Sequence, residues 1–135
     1  MPCFARRFNR GTRFAKRLSD NSDNLFLFMT INELNSLTAR NRLVLVDFYA
    51  SWCGPCNAMH PILDTVEKQF GNSVDILRVD VDQYESVSLV KHFRIMSVPT
   101  LMFFRRGCML WRSSGVVQLE TLVDIIRRFD RVEVY

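Results

Sequence analysis

Leu43-Val44-Leu45-Val46-Asp47-Phe48-Tyr49 runs directly into Ala50-Ser51-Trp52-Cys53-Gly54-Pro55-Cys56, and the junction of these two pieces decides the fold. The first piece is nearly all aliphatic, β-branched and aromatic. That pattern predicts a central strand covered on both faces, as in parallel sheets. From Cys53 onward, Ala58, Met59, Ile62, Leu63, Val66 and Phe70 recur at helical spacing and stop at Gly71. Pro61 falls inside this helix and predicts a kink, because it lacks an amide donor and crowds the preceding turn. A buried strand that turns straight into a long helix is one repeat of an α/β layered architecture.

The flanks extend the alternation. Upstream, Leu25-Phe26-Leu27-Phe28-Met29 reads as a short buried strand, and Thr30-Ile31-Asn32-Glu33 has the spacing of a capping box. Its helix runs through Leu34 and Leu37 to Arg40. Downstream, Val74 to Val81 forms the next strand, and Tyr84 to His92 the next helix. Thr100–Phe104 and Met109–Ser113, separated by Arg105-Arg106-Gly107-Cys108, predict an antiparallel hairpin. Leu119, Leu122, Val123, Ile126 and Phe129 place an apolar stripe on a closing helix. The order is β-α-β-α-β-α-β-β-α, with a mainly parallel interior expected.

Length and composition fit one domain: 135 residues, 48% hydrophobic and 24% charged. The apolar share excludes wholesale disorder, and no apolar run is long enough to span a membrane. The net charge of +4 is unevenly placed. Arg6, Arg7, Arg10, Arg13, Lys16 and Arg17 against Asp20 give the first 20 residues +5; the other 12 basic and 13 acidic residues balance to −1. A basic face for nucleic acid is therefore not expected on the folded domain. Residues 1–22 read as a basic extension and residues 23–135 as the domain.

Cys53 and Cys56 stand where the strand ends and the helix opens. The first thiol there meets the free amides and the positive end of the helix dipole, which stabilise a thiolate. The second lies on the same helical face, within reach of a mixed disulfide on the first. Gly54 and Pro55 suit the bend, since Pro costs nothing in a first helical turn. Cys-x-x-Cys is also a zinc half-site spacing, but a structural zinc site needs four ligands. The remaining cysteines, Cys3 and Cys108, are isolated, and His60 and His92 form no second pair, so no metal is expected. Cys108 reads as a spectator thiol and Trp111 as packing.

These residues resemble the thioredoxin family. The similarity rests on Val46 to Cys56, Pro61, Asp80-Val81-Asp82 and Val98-Pro99-Thr100, with Gly107 and Gly115 in place, and it covers residues 25–130. It implies a thioredoxin fold: a central mixed sheet of about five strands flanked by about four helices. It also implies that Cys53 attacks substrate and that Cys56 resolves. Asp47, whose burial in an apolar strand should raise its pKa, would relay the Cys56 proton. Arg78 stands where many members carry Lys, and would hold the Asp47 carboxylate ionised more firmly. Val98 and a cis Pro99 would bind an extended substrate segment, with Trp52 as a platform. Asn57 replaces a common Lys, removing a charge near the thiols.

The resemblance further implies a protein-disulfide reductase with no bound cofactor. Its partners would be disulfide-containing client proteins and a thioredoxin-reductase-type electron donor, and it would act as a monomer. Gly54-Pro55 favours a reductant over an oxidase or isomerase. A binding or holdase module using the same surface is the alternative from another class. On a helical wheel Arg6, Arg10, Arg13 and Arg17 oppose Phe4, Phe8, Ala15 and Leu18, which matches a mitochondrial transit peptide. A membrane-surface or nucleic-acid arm and a plain tail, with a cytoplasmic protein, stay open.

Overall fold

The computed structural model describes residues 31–130. The elements are α1 (Ile31–Thr38), β1 (Leu43–Tyr49), α2 (Gly54–Phe70), β2 (Val74–Asp80), α3 (Val87–His92), β3 (Thr100–Arg105), β4 (Cys108–Ser114) and α4 (Leu119–Asp130). The expected strand at Leu25–Met29, the Thr30 arm of the capping box and the basic segment lie outside these residues.

Four strands form one mixed sheet in the order β2-β1-β3-β4. β1 pairs parallel with β2 and antiparallel with β3, and β3 pairs antiparallel with β4. Antiparallel ladders thus outnumber the parallel one in the described sheet, against the mainly parallel interior expected. The reason is that α3 does not return the chain for another parallel crossover: the segment through Pro99 enters β3 at the end where β1 finishes. Phe48 accordingly pairs with Thr100.

Every residue of β1 from Leu43 to Phe48 is buried, as its two-sided apolar composition requires. Alternation sorts them. Val44, Val46 and Phe48 face α1 and α3, whereas Leu43 and Leu45 pack with Met59, Leu63 and Val66 of α2 and Leu122 of α4. Asp47 belongs by parity to the second set, so the fold drives a carboxyl beneath the first turn of α2.

Helix α2 continues through Pro61, whose missing amide leaves the Asn57 carbonyl without its helical donor. The helix expected over Tyr84–His92 is divided: Tyr84–Ser86 is a 3-10 turn, and the α-helix begins at Val87. The hairpin is tighter than its sequence suggests, with β3 one residue longer and β4 longer by one residue at each end. Arg106 (φ 52) and Gly107 (φ 75) alone make the turn, the left-handed pair that matches strand twist. Gly107→Ala should therefore cost about 1 kcal/mol, because a Cβ is strained at that φ. A lower urea midpoint at unchanged slope is the expected readout.

Arg112 ties β4 to the segment before Pro99. Its guanidinium donates to the Phe93 carbonyl at 2.6 Å and the Arg94 carbonyl at 3.1 Å. Arg94 itself holds φ 50, so the guanidinium bridges a backbone turn that would otherwise carry two unpaired acceptors.

Candidate active site

The site forms where β1 ends and α2 begins. Cys53 is the N-cap of α2, in extended conformation (φ −85, ψ 115), and its Sγ accepts the Cys56 amide at 3.2 Å. The sulfur thus takes the place of the Ser or Asp oxygen that usually satisfies a free helix amide. Pro55 lies in this first turn, where it removes an amide that has no intrahelical partner. Gly54 and Pro55 are both exposed, which leaves the bend open to solvent.

Both thiols are free. Cys53 retains 5% exposure and Cys56 none, so only the first sulfur touches the surface. Burial, then the hydrogen bond with Cys53, pushes the Cys56 thiol up to about 11. Across the cleft the Cys53 thiol donates to the Val98 carbonyl at 3.6 Å. Val98–Pro99 is a cis peptide, as the resemblance implied. Gly115 donates its amide to the Pro99 carbonyl at 2.8 Å and Thr100 its hydroxyl to the Ser97 carbonyl at 2.8 Å, fixing the loop from both sides.

Asp47 is fully buried, and neither carboxyl oxygen has a hydrogen-bond partner. Burial raises its pKa to about 7; the Arg78 charge pulls the other way and loses. The Asp47 charge in turn contributes to the raised Cys56 thiol. Arg78 favours the Asp47 carboxylate, the direction the sequence suggested, but only through space. Arg78 does not clasp Asp47: its Nη2 donates to Asp64 Oδ1 at 2.7 Å, and its Nη1 lies 3.2 Å from His60 Nδ1. Both partners sit one turn apart on the outer side of α2. The pKa of Asp47 stays raised because burial outweighs the Arg78 charge, which favours the carboxylate from a distance without a hydrogen bond.

Trp52 is 72% exposed, and its Nε1 donates to Asp82 Oδ2 at 2.7 Å, which fixes the indole at the rim. Met96 and Tyr84 are also largely exposed. Sequence reasoning did not single out His60 and Asp64 as partners of Arg78. Their i, i+4 spacing beside the buried stripe of Cys56, Met59 and Leu63 was the available signal. Asn57 is exposed and adds no charge near the thiols. Cys108 pairs with Arg105, at the end of the hairpin remote from Thr100, so it is not brought to the site. Trp111 packs against Phe103 with ring centroids 5.7 Å apart, the packing role expected of it. Cys3 lies outside the described residues.

Among the described residues no group of three or more His, Cys, Asp or Glu is arranged to hold a metal ion. No described helix is long and apolar enough to cross a membrane. The thioredoxin family model matches residues 26–128. A thioredoxin-like protein of Synechocystis is 36% identical over 98 residues, covering 73% of this chain and 91% of that protein. Mitochondrial thioredoxin 3 of Saccharomyces cerevisiae, solved in oxidised form, superposes with TM-score 0.65 at 28% identity, covering 73% of this chain and 90% of that one. A chain from a structural study of thiol resolution in yeast mitochondrial 1-Cys peroxiredoxin through the glutathione and thioredoxin systems gives TM-score 0.65 at 27% identity, covering 73% and 90%. With a family model spanning this fold, and a relative similar along most of its length, the chain belongs to the thioredoxin family and is a thiol–disulfide oxidoreductase that reduces protein disulfides.

Proposed function

We propose a division of labour within this dithiol in which Cys53 attacks, Cys56 resolves and Asp47 carries the proton between the two steps. The difference in access between the sulfurs supports it most directly: Cys53 reaches the surface beside Val98, and Cys56 is sealed behind it. The Cys53 thiolate attacks one sulfur of a substrate disulfide. A Cys53–substrate bond forms, the substrate S–S bond breaks, and the departing thiolate takes a proton from water. Asp47, as carboxylate, then accepts the Cys56 proton. The Cys56 thiolate attacks Cys53 Sγ, the Cys53–substrate bond breaks as the intramolecular disulfide closes, and the second substrate sulfur leaves as a thiolate that takes the proton held by Asp47. Substrate gains two electrons from the dithiol and two protons, one from water and one from Cys56 by way of Asp47, and the protein is left with the Cys53–Cys56 disulfide.

Val98 and Pro99 would seat an extended substrate segment, through the Val98 backbone, in the manner of an added strand. Trp52, exposed and fixed by Asp82, would form the platform beside it. Gly54 and Pro55 keep the bend between the thiols free of side chains that obstruct approach. Insulin supplies the test. In dithiothreitol the protein should accelerate precipitation of the insulin B chain well above dithiothreitol alone; no acceleration would defeat the reductase assignment and favour a holdase.

Clients would be proteins with accessible disulfides, a class supported by the neighbour studied with a peroxiredoxin. A thioredoxin-reductase-type donor would return the electrons, and a monomer suffices for the chemistry. We place the domain at residues 23–135 and the basic extension at 1–22, in keeping with the family match from residue 26. The Arg-rich amphipathic pattern and the mitochondrial neighbour support a mitochondrial address.

A further inference from the structure

Asp47 and Arg78 are register partners in the parallel ladder between β1 and β2. Their side chains therefore leave the sheet on the same face, from backbones about 5 Å apart. An arginine of that reach beside a buried, unpartnered carboxylate should pair with it, because both charges gain. It does not. The guanidinium extends past Asp47 to the outer side of α2, where Asp64 and His60 each take one nitrogen.

His60 can serve only as an acceptor in this contact, since a guanidinium has donors alone. Its Nδ1 must then be unprotonated, in agreement with its pKa being lowered, first by burial and then by Arg78. The Tyr49 ring meets the imidazole edge-on, with centroids 5.6 Å apart, and restricts its rotation. The other titratable groups whose electrostatics involve Asp47 are Cys56 at the head of α2 and Tyr49 on β1. From β3, its register partner Leu101 is apolar.

We propose that Asp64 and His60 are positioning residues for the site: by holding both terminal nitrogens of Arg78 at the outer edge of α2, they keep the guanidinium from pairing with Asp47, leave its charge to act there only from a distance, and so set the proton affinity of that carboxyl. This control matters for turnover only through the relay assigned to Asp47 above, and it rests on that reading for its functional consequence. Cutting the tether should let Arg78 fold back over Asp47 and favour the carboxylate.

The experiment is a carbon-detected NMR titration of the Asp47 carboxyl in the reduced, full-length protein. Asp64→Asn should lower the Asp47 midpoint by about one pH unit, a tenfold loss of proton affinity. His60→Ala should lower it in the same direction, and the double variant should lower it further. Asp64 is 56% exposed, so its own charge acts on Asp47 mainly through screened solvent. The decisive control is the same Asp64→Asn change in an Arg78→Gln background, where the midpoint should not move. An unmoved midpoint in Asp64→Asn, or an equal shift persisting without Arg78, overturns the proposal. The pH profile of insulin reduction should shift to lower pH with the midpoint. If Asp47→Asn keeps the wild-type profile, the relay reading falls, while control of the Asp47 proton is decided by the titration alone.

Discussion

Cys53→Ser should reduce insulin no faster than dithiothreitol alone, whereas Cys56→Ser, reduced and then freed of dithiothreitol, should stop halfway and accumulate one substrate per protein as a mixed disulfide. The asymmetry follows from the geometry. Cys53 sits at the N-cap with partial exposure and faces the Val98 carbonyl, so an incoming disulfide meets it first. A serine hydroxyl there cannot form the sulfur–sulfur bond on which turnover depends. Cys56 has no exposed surface and a thiol pushed up to about 11, so it makes a poor attacking group toward external substrate. In the proposed division of labour it becomes competent only when the mixed disulfide lies against it and Asp47 takes its proton. In Cys56→Ser the first bond forms and, with no external thiol present, nothing displaces it. Mass spectrometry of a trapped complex should place the link on Cys53; a complex that accumulates through Cys56 in Cys53→Ser instead would reverse the assigned roles.

Asp47→Asn should stabilise the protein and slow it together. A carboxyl with no hydrogen-bond partner, buried at the foot of α2, is held at about 7 when folded, against 3.8 as its ordinary value. Between those values the native state keeps a proton that the unfolded chain has lost. Unfolding therefore releases a proton, and stability from this group falls as pH rises through that window. The loss is on the order of 4 kcal/mol by pH 8 relative to pH 4. An asparagine does not titrate, so the variant should lack this slope: near wild type at pH 4, and more stable by several kcal/mol at pH 8. Urea denaturation at the two pH values measures it. The resolving step should meanwhile slow about 100-fold near neutral pH, the low end of what a positioned acid–base group contributes. Equal stabilities at pH 8 would mean that Asp47 finds a partner in solution; an unchanged rate would remove it from the chemistry.

The sequence carried the site further than it carried the sheet. The strand from Leu43 to Tyr49 and the Cys53 helix start were legible because each is a local pattern, two-sided burial followed by a helical period. The burial of Asp47 was legible by the same logic, since parity along the strand sends it to the face of Leu43 and Leu45. Strand direction was not. Whether β3 runs with or against β1 depends on how the chain re-enters at Pro99, which no periodicity encodes. The tight turn at Arg106-Gly107 was blurred because a left-handed Arg is uncommon and Gly107 alone gave the hint. The fate of Arg78 was also hidden. One strand places Asp47 beside it, but the competing partners, His60 and Asp64, come from a helix that only the folded chain brings alongside.

The claim that joins these observations is that Cys53 and Cys56 form a reducing pair, and the equilibrium potential of that pair tests it most directly. Titration against glutathione or dithiothreitol buffers, read by thiol alkylation and mass spectrometry, should give about −270 mV, the established potential of thioredoxin. A value between about −180 and −120 mV, in the range of isomerases and oxidases, would contradict the account.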